Sequence, residues 1–455
     1  MEGSLDKKGI RKDILKLGSP VFIEVLLGTL FGMVDMIMLG RAGDVATSTA
    51  SIAAVGITNQ VVFIGLSLVQ ALNTGATAMV ARYLGAKRTD KIESIVKHII
   101  ILTQIFLVLP IFLIGQGFTT NVMSFIGAQA DVISIGNTYF RVILIGFIFQ
   151  AFNFSLVASL RGAGDTKTPM RINITTNLLN VFGNAILIYG LLGFPALGVT
   201  GAAVSTAICH VIGTILIVRH VRGKDTVISL SLKNKFKFDK DVLYNLVKIG
   251  LPASLEQVAL RAGILMFTRI VASLGTVAYA THQIGINILS LSFTPGQAFG
   301  IAASTLTGRS LGEEKPSLAQ AYINQSMRIG VVISLVMSLV FFFFGPYVAM
   351  LYTNSTDVVE GAGNILKLMA LIMPFQGSQL ITAGGLRGAG DTVWTLITTF
   401  IGILGIRLVL AYVFIRGFGM GLEGAWYAIL ADQVIRWLLI RMRFKTGKWK
   451  YVTIR

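Results

Sequence analysis

Long apolar runs separated by short polar segments recur along the whole chain. A helix needs about 20 apolar residues to cross the hydrocarbon core of a bilayer. By that measure the pattern predicts twelve helical spans, at 17–39, 51–81, 94–115, 131–160, 169–192, 197–219, 243–274, 277–308, 317–344, 360–386, 393–416 and 421–442. The longest of them, such as 51–81, are expected to tilt or to project beyond the membrane. Met1–Lys16 is polar and basic, and the run after it is long enough to stay in the bilayer, so no cleavable leader is expected.

Composition agrees with this reading. Hydrophobic residues make up 54% of the 455 and charged residues only 13%, too few charges for a soluble surface of that size. The expected class is an all-α membrane protein. The net charge of +18 invites a nucleic-acid partner, but its distribution excludes one. Lys and Arg crowd the segment before the first span, the loops after the second, fourth, eighth and tenth, the stretch from Arg219 to Lys240, and the tail after the last span. The opposite loops offer only Arg41 and Arg416, with Lys367 just inside the tenth span. That asymmetry places both termini and the central loop in the cytoplasm, for a multi-pass protein of the cell (inner) membrane. The lone Cys209 cannot pair within the chain, the four His are dispersed, and no Lys-Ser/Thr follows a glycine loop. No apparatus for soluble catalysis or a bound cofactor is visible, and the chain is expected not to be an enzyme.

The chain is also duplicated. LRGAGDT at Leu160–Thr166 returns at Leu386–Thr392, 226 positions later. LGSPVFIE (Leu17–Glu24) answers IGLPASLE (Ile249–Glu256), ARYLGAK (Ala81–Lys87) faintly answers GRSLGEE (Gly308–Glu314), and GVTGAA (Gly198–Ala203) answers GLEGAW (Gly421–Trp426). The order is the same in both halves, which marks an internal repeat. Each half holds six spans, an even number, so the two repeats run parallel about an axis near the membrane normal. The predicted architecture is two six-helix bundles, 1–219 and 243–455, joined by a loop at 220–242.

Taken together, the Pro-x-x-x-Glu openings, the two LRGAGD turns and MVDMIMLGRAG (Met33–Gly43) resemble the multidrug and toxic compound extrusion (MATE) transporters over nearly the whole chain. The resemblance implies twelve helices in two bundles that rock about a substrate site. It also implies export of small organic, often cationic, compounds against entry of H+ or Na+. A monomer in contact with membrane lipids is expected.

Ionisable groups at membrane depth are costly and are the first functional candidates. Asp35 lies eighteen residues into the first span, roughly 27 Å at helical rise. Asn180 and Asn184, four residues apart on the fifth span, and Thr206 on the sixth fall at a similar level by counting. One carboxylate, two amides and a hydroxyl suit a hard cation such as Na+, or an Asp that carries a proton. The bland alternatives are an interfacial Asp and two asparagines that bond neighbouring helices. In the MATE branches that couple through the N-terminal half, the position of Asn184 carries a second acid. Its loss makes protonation of Asp35 the more economical step. The C-terminal half offers Phe267, Arg407 and Ile429 at the repeat-related positions. Positions that carry acids in the other branch hold Leu260 and Gln376 here. The chain therefore resembles the DNA-damage-inducible-F-like branch.

Glu24 and Glu256 read either as structural bonds to an adjacent helix or as inner stops on the transport path, and Arg261 or Arg269 would pair with Glu256. Asp432 and Arg407 are expected to pair, and Arg141 is an unassigned intramembrane cation. Met33, Met36, Phe147, Phe149, Phe152 and Phe154, with Glu24 and Glu256, are candidate walls of a substrate cavity. In each LRGAGDT, Arg161 or Arg387 would anchor a helix end among headgroups, the glycines would permit a tight reversal, and Asp165 or Asp391 would cap the next helix. A hinge is the alternative. Two competing functions stand beside export. A lipid-linked oligosaccharide flippase would favour a strongly basic cavity, and a channel or receptor would not need the duplicated halves.

Overall fold

The computed structural model describes residues 6–41, 45–125, 130–223, 226, 228, 230, 236–350 and 356–454, and no strand occurs among them. Twelve long helical segments follow one another: α1 (Lys7–Gly40), α2 (Val45–Gly85), α3 (Thr89–Gly117), α4 (Ala130–Gly162), α5 (Lys167–Tyr189), α6 (Gly198–Val221), α7 (Lys240–Ala272), α8 (Thr276–Gly312), α9 (Pro316–Met350), α10 (Thr356–Gly388), α11 (Thr392–Gly417) and α12 (Gly421–Thr446). They match the twelve predicted spans one for one. Eight are apolar and long enough to cross a membrane by composition alone. The other four, α5, α7, α8 and α12, carry polar residues that the bundles bury, which lowers their mean hydropathy without making them surface helices.

The chain divides into two compact units. One holds residues 23–80 and 88–247, and the other holds 1–22, 81–87 and 248–455. This differs from a division at the central loop, because the start of α1 and the end of α2 group with the C-terminal helices. The reason is packing: Ile10, Ile14 and Leu17 of α1 are buried with Phe299, Ala302 and Ala303 of α8 and with Ile381 of α10. In the N-terminal unit Val69, Phe140, Leu144, Phe147 and Ala203 form the core, and in the C-terminal unit Phe267, Ile288, Met369 and Trp426 do so.

The duplication is legible in the backbone. Gly164 and Gly390 occupy matching turns, both at φ +89°, where a side chain would be strained. Lys87 and Glu314 close the faint ARYLGAK and GRSLGEE match, each with φ near +60° (58° and 59°) after the end of its helix. The first glycine of each LRGAGD serves close helix packing instead. A Cβ on Gly162 would lie 2.7 Å from the Thr77 carbonyl oxygen, and one on Gly388 would lie 2.1 Å from that of Ser304. α11 departs from its counterpart α5: it contains π-helical turns at Phe400–Arg407 and Val413–Gly417, whereas α5 is unbroken α-helix.

The last residues of the central loop are pinned to the N-terminal unit. Asp239 caps α7 by accepting from the Asp241 and Val242 amides at 3.1 and 3.2 Å, and its other oxygen meets Lys91 Nζ at 2.5 Å. The hydrogen bond from Lys91 holds the Asp239 carboxyl below its ordinary range. Lys224, Lys233 and Lys235 lie outside the described residues.

Candidate functional site

Asp35, Asn180, Asn184 and Thr206 come together inside the N-terminal unit. α1 supplies the carboxylate, α5 the two amides and α6 the hydroxyl. Asn184 Nδ2 donates to Asp35 Oδ1 at 2.8 Å. The Asn180 amide is best turned so that its nitrogen donates to Asp35 Oδ2 at 3.2 Å and its oxygen accepts from the Ser205 and Thr206 hydroxyls, each at 3.2 Å. In that orientation both ends of the amide are satisfied. Asn180 and Asn184 are buried, as i,i+4 spacing on one helix face requires when that face meets α1 and α6. Tyr189 Oη donates to the Met38 carbonyl at 2.8 Å and holds the end of α1 against α5.

Two properties of the cluster matter chemically. Both carboxylate oxygens of Asp35 accept amide N–H groups, so the arrangement fits the ionised acid. Asn184 Oδ1 is buried with no hydrogen-bond partner, so an acceptor stands ready beside the carboxylate. A proton arriving on Asp35 would remove one acceptor and supply a donor, and rotation of the Asn184 amide would satisfy it.

The cluster has members that sequence reasoning missed. Ser205 is buried, and its hydroxyl lies 3.2 Å from both the Asn180 side-chain oxygen and the Asn180 main-chain carbonyl, either of which can accept its proton. Tyr139 of α4 and Cys209 of α6 are buried in the same unit. Ser205 adjoins Thr206 in sequence, and Cys209 lies one turn further along the same face. Both were therefore within reach of helical spacing. Tyr139 carried no such signal.

Several other candidates lie elsewhere. Phe147 is 1% exposed and belongs to the hydrophobic core of its bundle, so it is not a cavity wall. Phe154 packs partly buried against the same core, Phe149 and Phe152 are half-buried on α4, and Met33 is exposed. The Met36 side chain lies outside what the structure describes. Glu24 and Glu256 are each buried in an ion pair within their own unit, the arrangement of the structural reading. Arg161 Nη2 donates to Glu24 at 2.8 Å, and Asn173 donates to the same oxygen. Arg387 Nη2 donates to Glu256 at 2.6 Å, with Thr395 at 2.9 Å and Thr399 at 3.1 Å completing its shell. The partner of Glu256 is thus Arg387, not Arg261 or Arg269.

These pairs also correct the account of LRGAGDT. Its arginine does not reach for headgroups; it binds the glutamate of the Pro-x-x-x-Glu opening in the same repeat. Asp165 does cap α5, accepting from the Thr168 amide at 3.0 Å, whereas Asp391 pairs with Arg443 at 2.7 Å and caps nothing through its side chain. Arg141 donates to Thr119 at 3.2 Å.

In the C-terminal unit, Asp432 is fully buried and accepts from Arg407 at 2.5 and 2.9 Å and from Arg436 at 2.8 and 3.1 Å. Gly402 leaves room for this triad, since a Cβ there would lie 2.3 Å from Asp432 Oδ1. Gln376 is fully buried and accepts from Ser292 at 3.0 Å. With Asp432 fully bound by arginine, no carboxylate arrangement like that of Asp35 occurs among the described residues of α11 and α12.

Comparison with known proteins is consistent with a duplicated membrane chain. The MatE family profile matches twice, at residues 20–186 and 252–413. The chain is 32% identical over 444 residues to the "Probable multidrug resistance protein NorM" of Thermotoga maritima, covering 97% of this chain and 93% of that protein. It is 30% identical over 436 residues to the "Uncharacterized transporter YisQ" of Bacillus subtilis, covering 96% and 94%. Among solved structures, it matches an outward-facing multidrug resistance MATE family transporter of the MOP superfamily with a TM-score of 0.87 and 25% identity, over 96% of this chain and 97% of that one.

Proposed function

The chain belongs to the MatE family of membrane transporters, and on that footing we propose that it exports organic, chiefly cationic, compounds in exchange for H+. It is an integral membrane protein and a transporter, not an enzyme. Multidrug efflux is its general activity, as its relatives' names indicate. The observation that carries the coupling proposal is the Asp35 cluster: one carboxylate, with two amide donors and a free amide oxygen, inside the N-terminal bundle.

In this reading, ionised Asp35 is held by Asn180 and Asn184. Protonation turns it from acceptor to donor, and the Asn184 amide must reorient, which changes the contact between α1 and α5. Substrate is bound in one protonation state and released in the other, as alternating access requires. Na+ is the second choice of ion, held weakly by Asp35, the amide oxygens and Thr206, because the acid that would strengthen such a site is Asn184 here. We place coupling in the N-terminal half, as in the DNA-damage-inducible-F-like branch, both termini in the cytoplasm and the protein in the cell (inner) membrane, working as a monomer.

The test is efflux of ethidium from proteoliposomes under imposed proton and sodium gradients, varied separately. Efflux driven by the proton gradient alone supports the proposal, and efflux indifferent to both gradients contradicts it. A lipid-linked oligosaccharide flippase is the alternative. Flipping of a labelled glycolipid by the purified protein, without ethidium transport, would favour it.

A further inference from the structure

The segment after α12 is short, basic and firmly placed. Gly447 ends the helix at φ +68°, and residues Lys448–Tyr451 form a single 3-10 turn. Trp449 is 0% exposed; its ring stacks on Phe444 at 5.6 Å between centroids, and Nε1 donates to the Phe444 carbonyl at 3.0 Å. Lys450 Nζ donates to Gln320 of α9 at 2.6 Å. Val452 and Ile454 lie against Gly390 in the second LRGAGD turn. The main chain of this tail then accepts two cations from other helices. Lys248 of α7 donates to the Thr453 carbonyl at 3.2 Å, and Arg82 of α2 donates to the Val452 carbonyl at 3.2 Å.

Arg82 gives the tail its importance. It stands at the place where the repeated ARYLGAK and GRSLGEE segments cross. A Cβ on Gly85 would lie 2.1 Å from the Arg309 carbonyl oxygen, and a Cβ on Gly312 would lie 2.0 Å from that of Arg82. The contact is reciprocal, glycine of one repeat on the arginine carbonyl of the other, and only two glycines permit it. The Arg82 guanidinium is held by Val452, and its Nη1 is buried with no partner.

We propose that residues 447–454 are a clasp that keeps the ends of α2 and α8 crossed, and that the clasp must release for this crossing to part during transport. The charge pattern assigns this end of the helices to the cytoplasm, so the clasp would set how readily the protein opens to that side. Trp449 is the fixed end of the device, buried on α12. The Val452 carbonyl is its working end, tied to α2 through one charge-assisted hydrogen bond that can break without disturbing either helix.

The role in transport rests on the transporter reading, but the test does not, because it reads accessibility in the absence of substrate. Ser310 is buried one residue from Arg309, and Ser326 is buried on α9. Ser310→Cys and Ser326→Cys would each be treated with a membrane-impermeant maleimide in inside-out vesicles, against the chain with Cys209 alone. Truncation after Lys448, which also removes Trp449 and the Lys248 and Lys450 bonds, should speed modification at Ser310→Cys by at least about tenfold, the worth of the Arg82 hydrogen bond alone. Arg82→Gln, which leaves Trp449 in place, should move the rate in the same direction, and Ser326→Cys should stay slow in both. Unchanged labelling of Ser310→Cys would overturn the clasp, and so would an equal rise at both reporters, which means general loosening. If the truncated chain does not reach the membrane, Arg82→Gln decides the outcome alone.

Discussion

Half-buried Asp35 differs from the buried acids of the described residues in what it touches. Glu24, Glu256, Asp391 and Asp432 are each bound by arginine, whereas Asp35 meets only amides. A carboxylate clamped by a guanidinium has its charge fixed, while one held by neutral donors can exchange a proton at modest cost. Changing Asn184→Asp should add a second carboxylate and make ethidium efflux depend more strongly on sodium; an unaltered ion response would remove Asn184 from the site. Phe147→Ala should lower stability by about 3–5 kcal/mol, as loss of a buried ring does. It should leave the preference among drugs as it was, and thermal melting with a panel of substrates checks both parts. The four residues of the cluster were legible because membrane depth can be counted along a helix. Phe147 was misassigned because counting gives depth but not which neighbour a face will meet.

Within each repeat, one ion pair ties two helices. Glu24 with Arg161 joins α1 to the end of α4, and Glu256 with Arg387 joins α7 to the end of α10. Both glutamates follow a proline by four residues within a helix, and both arginines precede a glycine that packs on a neighbouring backbone. Removing one partner leaves the other buried and unpaired. Glu256→Gln should therefore destabilise by about 3–5 kcal/mol, and the double exchange Glu256→Arg with Arg387→Glu should recover part of it. A melting temperature of Glu256→Gln equal to wild type would show that the pair is not structural. Both motifs stood plainly in the sequence, yet their pairing did not. Their partners are more than a hundred residues apart, and only the folded bundle brings them together. The C-terminal tail was read from sequence only as positive charge, because a single Trp between Lys448 and Lys450 carries no periodicity.

The hydrophobic pattern and its duplication determine twelve helices in two related halves, and the family profile matching twice reflects that duplication. What they did not determine is where the compact units divide. The start of α1 and the end of α2 carry nothing in their composition that distinguishes the helices they join; the Ile10, Ile14 and Leu17 face and the Gly85 crossing do so only after folding. At this scale we propose that one acid in one bundle couples ion entry to drug export. The most direct measurement is proton movement driven by an outward substrate gradient in proteoliposomes, compared between wild type and Asp35→Asn. Substrate-driven proton uptake by the wild type that vanishes in Asp35→Asn, while the variant still binds ethidium, is the predicted result. Undiminished proton movement in Asp35→Asn would contradict it.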